Sequence, residues 1–258
     1  MDSRIRLDRI GEVNLNKYGN EMKIIEYVNN TNIVVEFKDG YKNQVWYSQF
    51  LEGYVSNPYD RSCYDIGFLD EGEYKTKLNN KFTPHYRRWS NMMSRCYNVK
   101  THIKQPSYIG CSVAPEWHSF QVFAKWYDDN YYWIDGNKMC LDKDILLKGN
   151  KIYSPENCVF VPERINILFV KHDEYRGNLP IGVVLHKRTV KMNNYKAMVS
   201  DINNEPLYLG VFDTINEAFL NYKIHKENVI KEVANKYKDT IPMKLYKAMY
   251  EYSVEITD

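Results

Sequence analysis

Apolar positions change their period several times along the chain, and each change marks a different kind of element. Residues 22–28 and 33–37 alternate or run apolar with Asn29 and Asn30 between them, and Asp39 with Gly40 sets another turn before residues 44–47. Short strands punctuated in this way predict a small β-barrel within residues 1–75. Asn57 with Pro58, then the glycines of residues 67–72, read as a linker. Thr83 and Pro84 offer a helix N-cap followed by proline in the first helical position, and Trp89, Met93 and Cys96 then recur on one face. The spacing of Trp117, Phe120, Phe123 and Tyr127 predicts a second helix over residues 114–130.

Residues 139–166 change character again. A short apolar run ends at Asp142, Lys143 and Asp144, and a polar turn follows at residues 148–151. Ser154 and Pro155 precede a second apolar run at 158–161, and Pro162 is placed to begin a helix. Residues 175–225 carry three short strand-like runs between polar turns. A helix capped by Asp213 or Thr214 follows, with Ala218, Phe219 and Tyr222 facing the sheet. That helix runs to about residue 238, and Pro242 restarts a short one with Leu245, Met249 and Tyr252 on one side. The pattern predicts an α+β, multi-domain chain. Residues 1–75 form the barrel, 76–174 a helical segment leading into a ββα unit, and 175–258 a three-stranded sheet with a packed helix and helical tail. The last of these is expected to bury a core without help from the ββα unit.

Charge sharpens this picture more than composition does. The net charge is only +2, yet residues 76–110 carry seven basic side chains and no acidic one, and residues 175–200 carry five and none. The three remaining stretches are all slightly acidic. Two acid-free basic windows are the footprint of a surface that meets phosphates. In the first window Arg88, Asn91 and Arg95 share a helix face away from the apolar one, with Arg87 beside them. The 23 tyrosines accompany a Lys-, Asn- and Ile-rich bias of the kind an AT-rich genome produces, so they carry no argument for base stacking. The five cysteines are widely spaced without a CxxC, which fits a reducing compartment and thiols packed as small hydrophobes. No apolar run approaches a membrane span, and residues 1–9 are unlike a signal peptide.

On Asp142, the Glu156–Asn157 pair and Asn166, the 139–166 stretch resembles the ββα unit of HNH endonucleases as found in phage homing enzymes. Trp89, Met93, Arg95, Cys96, Tyr97, Trp117, Phe120, Phe123 and Trp126 extend the resemblance over residues 80–170. It implies a magnesium ion held by Asp142, Asp144 and Asn166, and a catalytic set of Asp142, Asn157 and Asn166 if the site is active. Lys143 departs from the family at the position of its general-base histidine, and a lysine acts as a base only when strongly desolvated. Neither His118 nor His172 has a spacing that ties it to this unit.

On Gly182, Val183, Tyr195–Lys196–Ala197, residues 209–214, Glu217, Ala218 and Tyr222, residues 175–225 resemble the ethylene-response-factor (APETALA-two) type of DNA-binding domain. That family lays its open sheet face in the major groove. The resemblance implies that His186, Lys196 and Tyr208 touch DNA and that Lys187, Arg188 and Lys191 hold phosphates. Val184, Met198 and Ser200 stand where the plant domains have charged readers, so phosphate positioning is better supported than base reading. The N-terminal barrel is of the Src-homology-three or Tudor kind, and its acidic balance favours docking over DNA contact.

Three functions remain open at this level. The first is a phage-type protein that binds double-stranded DNA, descended from a homing endonuclease and lacking nuclease activity. The second is an active, magnesium-dependent HNH-like nuclease. The third is an interaction protein that inhibits a host defence protein. All three imply the cytoplasm of an infected bacterial cell and no membrane partner, and none fixes the oligomeric state.

Overall fold

A computed structural model describes residues 9–170, 177–186 and 194–258. The architecture is mixed α+β. The chain divides into two compact units, Met1–Asp129 and Asn130–Asp258.

The first unit opens with β1 (Val13–Leu15), β2 (Glu21–Asn29), β3 (Asn32–Phe37) and β4 (Lys42–Val45), an antiparallel meander in that order. Alternation along β2 and β3 buries Met22, Ile24, Ile33, Val35 and Phe37, and Val45, Phe50 and Val55 complete this core. The expected barrel does not close: among the described residues no strand pairing joins β1 to β4. Those edge strands have only three and four residues. The short helix α1 (Tyr47–Leu51) follows β4, and the Asn14 side chain on β1 donates to its last carbonyls, Phe50 O at 2.8 Å and Leu51 O at 3.1 Å. A helical turn therefore meets β1 where a closing strand would have paired.

The stretch expected as a linker is packed instead. Asp60 is 2% exposed. Its carboxylate accepts from the Asn16 amide at 3.0 and 2.9 Å, the Asn20 amide at 2.6 Å and the Asn57 N–H at 3.1 Å. Those bonds satisfy the buried carboxylate and pin residues 57–60 to the meander. Further along, Gly67 lies so close to Trp89 that an added Cβ would sit 2.7 Å from its ring, and Phe68 bridges to Ser119.

A hairpin of β5 (Lys77–Leu78) and β6 (Lys81–Phe82) leads into α2 (Pro84–Tyr97). Thr83 Oγ1 accepts from Tyr86 N, Pro84 occupies the first turn, and Trp89, Met93 and Cys96 are buried as the spacing predicts, with Met92 buried beside them. Next come α3 (Val99–Lys104), a 3-10 turn at Pro106–Tyr108 and β7 (Ser112–Val113). The helix expected over 114–130 is broken into a 3-10 turn, Pro115–His118, and α4 (Phe120–Asn130). Ser119 is the reason. It is extended (φ −75°, ψ 124°), accepts from Val122 N at 3.2 Å and donates to Asp70 at 2.7 Å, so it acts as a cap inside an apparently continuous helical pattern.

In the second unit β8 (Met139–Asp142) pairs antiparallel with β10 (Val159–Pro162), with β9 (Ile152–Tyr153) between them in sequence and α5 (Glu163–Leu168) after them. This is the strand, turn, strand, helix order read from sequence. Pro162 ends β10 and caps α5 from an extended conformation (φ −54°, ψ 140°), so the helix begins one residue later than expected. Strands β11 (Val183–His186), β12 (Asn194–Ser200) and β13 (Pro206–Phe212) form the expected antiparallel sheet, followed by α6 (Ile215–Tyr237) and α7 (Met243–Tyr250). Thr214 and Glu217 form a capping box at the start of α6.

One helix serves two cores here. Ala218, Phe219 and Tyr222 of α6 pack on Val183, Ala197 and Val199 of the sheet. Val229, Ile230, Val233 and Ala234 of the same helix join Leu245 and Met249 of α7 against Ile145, Val159, Val161, Ile165 and Leu168 of the ββα unit. At 1.5 Å per residue α6 is roughly 35 Å long, ample for both. The tail of residues 175–258 thus buries its apolar face in the ββα core as well as in its own.

Candidate nucleic-acid interface

The ββα unit brings Asp142, Lys143 and Asp144 to the end of β8, where the chain turns. Asp142 Oδ1 accepts from Asp144 N at 2.9 Å and Ile145 N at 2.8 Å, closing that turn. Lys143 is 8% exposed; its Nζ donates to Asp144 Oδ2 at 3.0 Å and lies 5.8 Å from the centre of the Tyr153 ring. Asn150 holds the far side of the loop by donating to the carbonyls of Lys143 and Ile152, each at 2.7 Å. Burial, then the neighbouring Asp144 carboxylate, pushes Asp142 up to about 6, against the two backbone N–H groups and Lys143. Asn157 is half-buried, its N–H donating to Ser154 Oγ at 3.3 Å. Asn166 is half-buried on α5, where its carbonyl accepts from Phe169 N at 3.2 Å.

These donors do not fit a magnesium ion as they stand. Such an ion asks for hard oxygens converging at about 2.0–2.1 Å. One oxygen of Asp142 already closes the turn, and Asp144 is already paired with an ammonium from the adjacent residue. Among the described residues, no three His, Cys, Asp or Glu side chains come together as a metal-holding group. His118 sits on a 3-10 turn with Nε2 3.1 Å from the Val113 carbonyl, a structural contact. His172 lies outside the described residues.

The three-stranded sheet gathers its candidates on one face. Alternation buries Ala197 and Val199 of β12 against α6, which turns Asn194, Lys196, Met198 and Ser200 the other way. Val184 pairs with Lys196, His186 with Asn194, and Tyr208 with Met198, so His186, Lys196 and Tyr208 share the open face. A bulge between Ala197 and Met198 sets Tyr208 outward while Leu209 packs in the core. Lys196 Nζ lies 5.3 Å from the centre of the Tyr208 ring, and Tyr208 is 55% exposed. No strand of this sheet carries an acidic residue. Gly182, one residue before β11, has φ +78°, and a Cβ there would come within 2.0 Å of the Tyr222 ring, so only glycine lets the strand enter against α6. Lys187, Arg188 and Lys191 lie outside the described residues.

In the first unit α2 turns Arg87, Arg88, Asn91 and Arg95 away from its buried face. Arg87 is exposed with Nη2 3.5 Å from the Phe82 carbonyl, and Arg88 and Arg95 are half-buried. The Arg95 guanidinium lies 5.1 Å from the centre of the Tyr108 ring. Sequence reasoning missed Asn194 on the open sheet face, although the alternation of residues 194–200 carries that signal. It also missed Arg164, which donates from Nη2 to the carbonyls of Asp201 (2.9 Å) and Ile202 (2.8 Å) and so ties α5 to the β12–β13 turn. Burial, then the charge of Arg164, lowers Lys226 on α6 to about 8. That contact between distant stretches leaves no local signal.

Comparison with protein-family models, curated proteins and solved structures finds no match to this chain.

Proposed function

We infer that this chain binds double-stranded DNA through the open face of its three-stranded sheet, assisted by the basic face of α2, and that its ββα unit is a scaffold and not a working nuclease centre. The observation that carries the reading is the sheet face itself. His186, Lys196 and Tyr208 lie side by side on strands without acidic residues, opposite the helix that packs the other face. A lysine beside an exposed aromatic suits phosphate contact and stacking more than strict base reading. The resemblance to phage homing endonucleases suggests descent from such an enzyme and a setting in the cytoplasm of an infected bacterium. No described helix is long and apolar enough to cross a membrane.

The hydrolytic reading has less support, because Lys143 stands in the position of the base and is paired with Asp144. A cation held by a carboxylate takes no proton from water. Binding to a host defence protein draws support from the 44% exposure of Val184, which pairs with Lys196 on the same face. Titration of a mixed-sequence duplex at several salt concentrations separates these readings. Arg87→Glu with Arg88→Glu is expected to weaken binding about tenfold at low salt, with a shallower salt dependence and little change between sequences. Absence of duplex binding by the wild-type protein at low salt would overturn the proposal and promote the host-protein reading.

A further inference from the structure

Within the first basic window, α3 has a composition that phosphate contact alone does not explain. Its six residues contain none that is buried, and its Val99 and Ile103 are 70% and 75% exposed, the two most exposed large apolar side chains among the described residues. They are four apart and so lie on one side of the helix, while Lys100 and Lys104, also four apart and exposed, border them. The helix is nonetheless firmly held. The Asn98 side chain accepts from Lys100 N at 2.9 Å, Thr101 Oγ1 meets Ser94 Oγ at 3.0 Å, and His102 Nε2 lies 3.0 Å or less (2.9 Å) from the Arg95 carbonyl. Thr101 and His102 thus fasten α3 to the end of α2, beside Arg95 and Tyr108, and leave Val99 and Ile103 outward. The pair forms a small, held apolar face rimmed by lysines.

We propose that α3 is a wedge: Val99 and Ile103 enter the minor groove of duplex DNA and part a base step, while Lys100, Lys104 and Arg95 meet the flanking phosphates. This rests on the DNA-binding reading and adds to it a deformation of the duplex. Charge selects the occupant, since residues 76–110 contain no acidic side chain and a polyanion is the partner such a stretch attracts. Apolar wedges between basic residues are the means by which groove-binding proteins unstack and kink DNA. A single short turn with two apolar side chains gives too little apolar surface for stable seating on a bilayer.

Relaxation of a closed circular plasmid by a topoisomerase in the presence of the full chain tests this without knowledge of a target sequence. Unstacking untwists the duplex, so wild-type protein is expected to shift the linking number of the relaxed plasmid in proportion to protein bound. Val99→Ser with Ile103→Ser is expected to abolish that shift while duplex affinity falls no more than about fivefold. Both positions are exposed, and an unchanged melting temperature checks that the fold is intact; Ile103→Lys, which adds a positive charge and so does not weaken phosphate attraction, is expected to lose the shift as well. Duplex binding by wild type without any linking-number change would overturn the wedge and leave the DNA reading standing. No duplex binding at all would overturn both. Binding to phosphatidylserine vesicles that requires Val99 and Ile103, without a plasmid shift, would also overturn the wedge.

Discussion

The ββα unit and the three-stranded sheet are built from the same parts, a few short strands and a helix, and they share α6, yet they use their polar side chains in opposite ways. At the end of β8 the polar side chains bond within the protein: Asp142 closes a turn, Lys143 pairs with Asp144, and Asn150 bonds two carbonyls. Even Lys148 in the same loop donates to Ser253 O at 2.8 Å and to Asp258 at 2.6 Å. On the sheet, the second face has nothing packed over it from α6, and its cation meets an exposed ring. A tight loop between strands needs Asp, Asn and Lys to satisfy its backbone, and those are the residue types a metal site would use. Residue type at a loop therefore says little about chemistry until its bonds are known. On an open sheet face, where alternation alone fixes direction, residue type says more.

Lesions in the two cores sharpen this contrast. The largest effect is expected from Leu245→Ala, which empties a fully buried position between α7 and the ββα unit and should destabilise it by roughly 2–5 kcal/mol. Amide exchange should accelerate first in β8 and β10; faster exchange confined to the three-stranded sheet would show that the shared core is misassigned. Gly182→Ala is expected to do the reverse. Its Cβ would meet the Tyr222 ring in a left-handed backbone conformation, at a cost of about 2–4 kcal/mol felt first in β11 and β12. Thermal unfolding unchanged within about 0.5 kcal/mol would refute the close approach of Gly182 to Tyr222.

A smaller effect, with a definite sign, belongs to Asp142. Its carboxyl is held above the ordinary value of 3.8, up to about 6, so the folded chain binds that proton more tightly than the unfolded one. The contribution favours folding most below about pH 4 and is lost as pH rises through about 6. Asp142→Asn keeps the oxygen that accepts from Asp144 N and Ile145 N and removes the charge. It should raise stability at pH 7 by roughly 1–3 kcal/mol and flatten the pH dependence between 4 and 7. Urea unfolding across that range checks it. Lower stability of Asp142→Asn at pH 7 would mean that the ionised carboxylate is needed where it lies.

Much of this fold was legible because the signals were local. Thr83 and Pro84 announced α2, the Asp213–Thr214 pair announced α6, and short runs between polar turns announced the three strands that α6 covers. What was not legible depended on distant partners. The stretch from Asn57 and Pro58 to Gly72 resembles a connector until Asp60 is found bonded to Asn16 and Asn20, forty and more residues away. Ser119 looks helical until Asp70 and Phe68 hold it extended. The departure of Lys143 from the resembled family was visible, but its burial against Asp144 and Tyr153 was not, since both depend on how the loop folds back.

The most direct test is a duplex titration in magnesium, read both as bound fraction and as strand integrity. Wild type and Asp142→Asn are expected to bind alike and leave the DNA whole, whereas Lys196→Glu with Tyr208→Ala should bind at least tenfold more weakly with a shallower salt slope. The contrary result is magnesium- or manganese-dependent nicking by wild type that Asp142→Ala or Asn166→Ala abolishes, with the sheet-face variant binding as wild type does.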